Sequence, residues 1–128
     1  MTVTYVIPGA EVTGLDAFWT VMGAAVNGPG GSFGRNLDAF ADCLGGGHGT
    51  PDDGDFVIEW RDHARSRDAL GHEETARWLR SRLGRVHETN RAAVRGELAE
   101  AEAGRGRTLF DRLVEIVEEK APGALRLV

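Results

Sequence analysis

The chain has 128 residues, of which 41% are hydrophobic and 27% charged, a composition typical of a soluble globular protein with a single domain over residues 1–128. Its formal net charge of −5 argues against direct binding of nucleic acid, which usually requires a basic surface. No stretch approaches the roughly 18 consecutive apolar residues of a membrane span, so we predict no membrane association.

The first residues and the single cysteine predict a cytoplasmic protein. The N-terminal stretch lacks the basic region and long apolar core of a secretory signal. Cys43 is the only cysteine, so the chain cannot form an internal disulfide, which suits a reducing compartment.

The first 45 residues predict one strand and two helices. Residues 3–7 alternate between apolar and polar or small side chains, as in a strand. Residues 15–26 carry apolar side chains at helical spacing, and the glycine- and proline-rich residues 27–31 end that helix. Asn36 is a suitable N-cap for a second helix that runs to Leu44.

The rest of the chain predicts two more strands and further helices. Residues 56–60 form a compact apolar run between turn signals, typical of a buried strand. Residues 63–107 have helical character throughout, Thr108 caps a last helix, and residues 125–128 indicate a final strand. Strands separated by helices need crossover connections, so the predicted fold is α/β, a small parallel three-stranded sheet covered by helices.

Acidic charge is concentrated in the middle of the chain. Residues 36–62 carry seven acids and one arginine, a net of −6. Residues 63–107 carry ten arginines and seven acids, a net of +3, which favours a mixed, solvated helix surface. The acids of the first segment are Asp38, Asp42, Asp52, Asp53, Asp55, Glu59 and Asp62.

Asp38 and Asp42 lie four residues apart, which places both carboxylates on one helix face. The pair fits either a solvated polar face or an anionic patch for a cationic partner, and the spacing alone does not separate these hypotheses. Paired carboxylates could also serve a glycosidase-type hydrolase, which needs a deep pocket walled by aromatic residues. With only nine aromatic residues, most of them at core positions, the sequence does not favour that chemistry.

Other kinds of site lack their residues. Loop 28–36 precedes a helix, but it has no Lys-[Ser/Thr] ending of a phosphate-binding loop. The histidines and Cys43 show no zinc-ligand spacing, and residues 52–55 lack the ligands of a complete calcium loop. No serine has the Gly-x-Ser-x-Gly context of a hydrolase nucleophile. We therefore predict no metal, no cofactor and no enzymatic activity.

Three stretches share their pattern with one known family. Residues 33–44 contain Gly-x-Asn-Leu-Asp-x-x-x-Asp-Cys-Leu, residues 56–61 end in Glu-Trp-Arg, and residues 118–123 read Glu-Glu-Lys-Ala-Pro-Gly. These resemble the inhibitory loop and second helix, the central strand and the end of the last helix of the barstar family of intracellular ribonuclease inhibitors. The similarity covers roughly residues 3–62 and 108–128, and it implies the same parallel sheet with helices.

The resemblance implies a protein that forms a 1:1 heterodimer with a small basic secreted ribonuclease and blocks its active site. Asp42 matches the acid that lies deepest in the enzyme's phosphate site, and Asp38 matches a second acid that faces enzyme cations. Carboxylates suit this role because they accept bidentate hydrogen bonds from arginine, as phosphate does. The implied partner-binding residues are Ser32, Phe33, Gly34, Asn36, Asp38, Ala41, Asp42, Gly46 and Glu118.

The chain departs from the family's pattern in its aromatic residues and in its length. Ser32 stands where an aromatic is usual, and Ala41 and Gly47 stand where tryptophans are usual, which removes contact area from the implied interface. Residues from about 66 to 107 have no counterpart in shorter members, and we predict that they form a helical insertion. An alternative function is a barstar-fold interaction module that binds a basic protein other than a ribonuclease.

Overall fold

A computed structural model describes all residues from 1 to 128. Its elements are β1 (Val3–Pro8), a short 3-10 helix (Gly9–Glu11), α1 (Leu15–Asn27), α2 (Leu37–Leu44), β2 (Phe56–Arg61), α3 (His63–Ala69), α4 (His72–Leu83), α5 (Glu88–Glu102), α6 (Leu109–Lys120) and β3 (Leu125–Leu127). The predicted α/β class with a small parallel sheet is confirmed. None of the helices has the length and apolar character needed to cross a membrane.

The central strand of the sheet is β2, with β1 on one side and β3 on the other, all parallel. Ile7 of β1 lies opposite Trp60 of β2, and Ile58 of β2 lies opposite Leu125 of β3. Alternate residues of β2, including Ile58 and Trp60, are buried because they point to the face that the helices cover. Parallel neighbours need long connections, which α1 and α2 supply before β2 and four helices supply after it.

One cluster of 19 buried residues joins the sheet to α1, α2 and α6. Aromatic rings lie at its centre: the ring centroid of Phe18 is 5.5 Å from that of Phe40 and 5.3 Å from that of Trp60. Trp60 is in turn 5.1 Å from Phe110 of α6. Each such fully buried side chain stabilises the fold by about 1.5–3 kcal/mol, so α2 is firmly held by its inner face.

Helix α3 belongs to this main core through a buried serine. The Ser66 hydroxyl accepts a hydrogen bond from Nε1 of Trp60 at 2.9 Å and donates one to the carbonyl oxygen of Gly9 at 2.8 Å. A Cβ at Gly9 would lie 2.1 Å from the carbonyl oxygen of Arg61, so only glycine allows this close approach. All the buried polar groups of this junction are thereby paired.

The helices α4 and α5 form a hairpin with a small core of its own. That core consists of Ala76, Leu79, Val94 and Ala101. Two hydrogen bonds tie the hairpin to the main body: Leu109 N donates to Oγ1 of Thr75, and Leu15 N donates to Oε2 of Glu74, both at 2.8 Å. The predicted helical character of this region is confirmed, and its status as an insertion of residues 66–107 stays a prediction.

Candidate functional site

Helix α2 turns an apolar face to the core and a polar face to solvent. Its predicted N-cap is confirmed, because Oδ1 of Asn36 accepts a hydrogen bond from Ala39 N at 2.8 Å. The buried face consists of Phe40, Cys43 and Leu44. Asp38 and Asp42 are exposed on the outer face, and neither takes part in any of the seven ion pairs of the chain. The two carboxylates are therefore available to a partner.

The loop before α2 is clamped to that helix. Phe33 is fully buried, with its ring centroid 6.0 Å from that of Phe40. Gly34 has a φ of +86°, and a Cβ there would lie 2.7 Å from the backbone nitrogen of Phe40, so this position requires glycine. The buried Phe33 side chain anchors the loop to the core, whereas the predicted partner-binding residues Ser32 and Asn36 are exposed to solvent.

Asn27, the last residue of α1, ties two loops together. Its Nδ2 donates to the carbonyl oxygen of Ser32 at 2.8 Å and to that of His48 at 2.9 Å. A Cβ at Gly49 would lie 2.2 Å from Asn27 Oδ1, so the second loop packs directly on this side chain. Sequence reasoning placed Asn27 only in a turn, because nothing local indicates a contact 21 residues away.

The loop that follows α2 carries small residues at the predicted site. Gly46 and Gly47 both have positive φ, and a Cβ at either would meet no atom within 4 Å. Gly46 and Ala41 are partly buried, whereas Gly47 is exposed. Because Asn27 holds this loop beside Ser32, the small residues together leave an open surface next to the acidic face of α2.

A groove of about 620 Å³ opens between α2, α4 and α6, and its lining includes Asp38, Glu115 and Glu119. Glu118 is not part of this lining. Neighbouring helix residues point about 100° apart, which explains why Glu119 lines the groove and the adjacent Glu118 does not. The sequence contained a signal for Glu119 at this position. Glu119 lies three residues, or about one helical turn, after Ile116, which also lines the groove.

The lining of the groove also contains four arginines, which sequence reasoning did not predict. They are Arg82 of α4, Arg85 just after that helix, Arg107 before α6 and Arg112 of α6, and Trp78 of α4 lies in the same lining. The guanidinium carbons of Arg82 and Arg112 lie 4.8 Å and 5.3 Å from the Trp78 ring centroid, within the range of cation–π attraction.

The acidic segment 36–62 does not form one continuous surface. Glu59 is paired with Arg61, with 2.6 Å between its Oε2 and the arginine Nε. Asp55 precedes β2 and Asp62 follows it, so they lie roughly 20 Å apart at opposite ends of that strand. The net charge of this segment is therefore divided, and the acidic pair on α2 is the part that combines exposure with a rigid support.

The remaining reactive group near the site is the Cys43 thiol. Burial raises its pKa, and the negative charge of Asp42 raises it further. A protonated, buried thiol is a poor nucleophile. No three His, Cys, Asp or Glu side chains are grouped so that they could hold a metal ion. What the site offers to another molecule is exposed negative charge on a well-supported helix.

A family model described as Barstar (barnase inhibitor) matches residues 2–100. The match includes both loops, α2, β2 and most of the α4–α5 hairpin, and it ends before α6. This chain belongs to the barstar family, which confirms the resemblance found over residues 3–62, whereas the resemblance of residues 108–128 lies outside the match and stays a prediction. Among curated proteins, none matches the chain.

Proposed function

We propose that this member of the barstar family inhibits a small basic ribonuclease by covering the enzyme's active site with the acidic face of α2 and the loop before it. Membership of the family implies protein binding of the ribonuclease-inhibitor type. The observation that carries the proposal is that Asp38 and Asp42 are exposed and unpaired on a helix whose other face is fixed in the aromatic core. Since these carboxylates have no internal partner, a cationic partner breaks no existing bond.

The mechanism follows from the chemistry of a ribonuclease. Such an enzyme needs cationic groups where it holds the phosphates of RNA, and a carboxylate can accept the same hydrogen bonds from those groups. Asp42 takes the position of a phosphate in the enzyme, and Asp38 pairs with a neighbouring cation. Because opposite charges attract at a distance, the acidic face also speeds the encounter, and added salt slows it.

A rigid surface reduces the entropy that association would otherwise cost. Phe33 and Gly34 fix the loop to α2, and Asn27 fixes the loops on both sides of that helix. Ser32, Asn36, Ala41 and Gly46 complete the proposed contact area around the two aspartates. Glu118 stays a proposed contact as well, and the geometry of α6 adds Glu119 as a candidate on the side of Asp38.

The proposed complex is a 1:1 heterodimer that forms in the cytoplasm without a cofactor. A single continuous surface on α2 and its flanking loops accounts for one partner molecule per chain. The inhibitor would protect a cell against a ribonuclease that it exports or that a rival delivers.

Inhibition of RNA cleavage tests this function. Purified protein is titrated at low ionic strength against barnase and other small basic microbial ribonucleases, and we expect stoichiometric inhibition of at least one. Asp42→Ala should raise the inhibition constant at least about 30-fold, because a cation buried against Asp42 would lose its partner. Asp68→Ala is the matched control, since it removes one exposed carboxylate without an ion pair from α3, outside α2 and its flanking loops, and should change inhibition by less than about threefold.

The two outcomes that contradict the proposal differ in their meaning. Failure of the wild-type protein to inhibit any of these enzymes would contradict the function itself. Unchanged inhibition by a folded Asp42→Ala variant would falsify the assignment of the interface to α2.

A second candidate is an interaction module that keeps the fold and binds a basic protein other than a ribonuclease. The small side chains of Ser32 and Ala41 favour it, because the surface lacks the aromatic anchors that dominate many tight interfaces. Capture of a basic partner that lacks ribonuclease activity, with capture lost in Asp42→Ala and no inhibition of the enzymes above, would distinguish this function.

A further inference from the structure

We infer that the groove between α2, α4 and α6 is a second docking region for the same ribonuclease, and that it receives a surface loop of that enzyme carrying one basic and one acidic side chain. The inference rests on the proposed function, because it assumes that the enzyme already occupies the outer face of α2. It assigns a role in partner selection to the α4–α5 hairpin.

The lining of the groove carries charges of both signs that form no ion pair within the chain. Asp38 of α2 and Glu119 of α6 form none, and neither do Arg82 of α4 and Arg85 just after that helix. A loop with a cation for the two acids and a carboxylate for the two arginines would pair both sets. A purely basic loop would meet like charge at the arginines and a purely acidic loop at the acids, which disfavours both.

The other two arginines of the lining form ion pairs within the chain. Arg107 pairs with Glu115 of α6, and Arg112 of α6 pairs with Glu97 of α5. Arg112 also lies over the Trp78 ring of α4, so its side chain is held by contacts among three helices. The cations of the lining that have no ion pair are therefore those of Arg82, which lies over the Trp78 ring, and Arg85.

The floor of the groove is apolar. Leu37 of α2, Val86 after α4 and Ile116 of α6 line it together with Trp78, and each is only partly buried. Apolar side chains that remain partly accessible gain from being covered by the stem of a partner residue. This area supplements the contact that Ser32 and Ala41 no longer provide on the neighbouring surface.

The groove suits a protein loop better than a nucleic acid. Nucleic acids stack bases on open aromatic faces and repel carboxylates. Here two guanidinium groups already lie over the Trp78 ring, and two acids without an ion pair line the same groove. The groove is also continuous with the proposed interface, since Asn36 and Asp38 belong to both.

Charge reversal of the free arginines tests the inference. The variants are Arg82→Glu/Arg85→Glu and the single Arg85→Glu, which changes an exposed side chain and leaves the contact with Trp78 intact. The matched control is Arg91→Glu/Arg95→Glu, an equal change of net charge at exposed positions of α5 outside the groove. Each protein is titrated calorimetrically against the ribonuclease that the wild type inhibits, and the complex is examined by hydrogen exchange.

We expect the groove variants to raise the dissociation constant by about tenfold for the double change and severalfold for Arg85→Glu, with the control within about threefold. Amides of residues 82–86 should be protected from exchange in the wild-type complex. The inference is overturned if the double variant binds the ribonuclease as tightly as the wild type, or if these amides gain no protection. In that case, loss of inhibition in Asp42→Ala would still support the proposed function. Binding of a 12-nucleotide single-stranded RNA that disappears in the double variant would also overturn it, in favour of a nucleic-acid site. If the wild type binds no ribonuclease, both proposals fail together.

Discussion

Single residues at the contacts between helices and loops determine how the fold positions the acidic face of α2. Glu74 of α4 is one of them, because it reaches across to the start of α1, where Gly14 offers no side chain to cap the helix. Its carboxylate also accepts two hydrogen bonds from Arg77, at 2.6 and 2.9 Å. One side chain thus caps α1 and anchors the α4–α5 hairpin to it.

Glu74 should make stability depend on pH. The hydrogen bonds from Arg77 lower its pKa on folding, and the backbone N–H of Leu15 adds to this against the opposing effect of burial. A carboxyl whose pKa is lowered in the folded state stabilises it at pH values above its unfolded pKa, and this contribution is lost as the pH falls through the folded pKa. Glu74→Gln should therefore reduce the free energy of unfolding by about 1 kcal/mol at pH 7 and by progressively less in acid.

Urea unfolding between pH 7 and pH 3 measures this difference. Glu73→Gln is the control, since Glu73 is an exposed neighbour that forms no ion pair. A Glu74→Gln variant that is as stable as the wild type at pH 7 would show that the carboxylate does not stabilise the contact between α4 and the start of α1.

Gly34 is the second residue of this kind, because it allows the loop before α2 to contact the backbone of that helix. Gly34→Ala should lower the free energy of unfolding by about 2–4 kcal/mol, since positive φ disfavours a Cβ and α2 must also shift to admit it. Gly47→Ala has a similar φ of +83° with nothing within 4 Å, so it should cost only about 1 kcal/mol. Equal losses in denaturant unfolding would mean that the close approach at Gly34 has no energetic weight.

At the scale of elements, the chain combines a large core with a small one. Nineteen buried residues hold the sheet, α1, α2 and α6, whereas four hold α4 against α5. Helices with few buried apolar contacts open at lower free energy than a central strand. The hairpin should therefore open locally while the acidic face of α2 stays in place.

Native-state hydrogen exchange can separate the two cores. Leu113→Ala, in the main core, should lower the opening free energy of Ile58 in β2 by about 2–4 kcal/mol and leave that of α5 amides nearly unchanged, because these amides exchange while the main core is intact. Leu79→Ala should lower both, because the hairpin core is lost in the local opening and in global unfolding alike. An equal loss at α5 amides in the Leu113→Ala variant would indicate that the two cores unfold as one unit.

The elements of this fold could largely be predicted from the sequence. Alternation marked β1, an apolar run marked β2, and Thr108 with Asp111 marked the start of α6, where the structure shows a full capping box. The N-cap of α2 likewise involves residues only three positions apart, Asn36 and Ala39. Such features depend on neighbours a few residues apart, which is why pattern alone identifies them.

The site was predictable only where it follows from one element. The exposed acidic pair on α2 follows from helical spacing, and the family resemblance added the loop. The Asn27 bridge and the contact between Trp78 and Arg112 join residues far apart in sequence, so no local pattern contains them. Among the acids of α6, Glu115 and Glu119 line the groove and Glu118 does not, which depends on how α6 packs against α2 and α4.

At the scale of the whole molecule, the positions of the charged residues are more informative than the net charge. The net charge of −5 includes acids at both ends of β2, and the hairpin adds arginines beside the acidic face of α2. In the proposed complex, the unpaired acids on α2 attract the basic enzyme, and the neighbouring arginines limit which enzyme fits. The two proposals thus assign attraction to the main body and selection to the hairpin.

Competition with inorganic phosphate tests the central claim most directly. If Asp42 occupies the phosphate site of the ribonuclease, phosphate and the inhibitor must exclude each other there. The apparent dissociation constant of the complex should then rise in proportion to the phosphate concentration once the site is saturated, at a total ionic strength held constant with chloride. A dissociation constant that is independent of phosphate under these conditions would contradict occupation of the active site by α2.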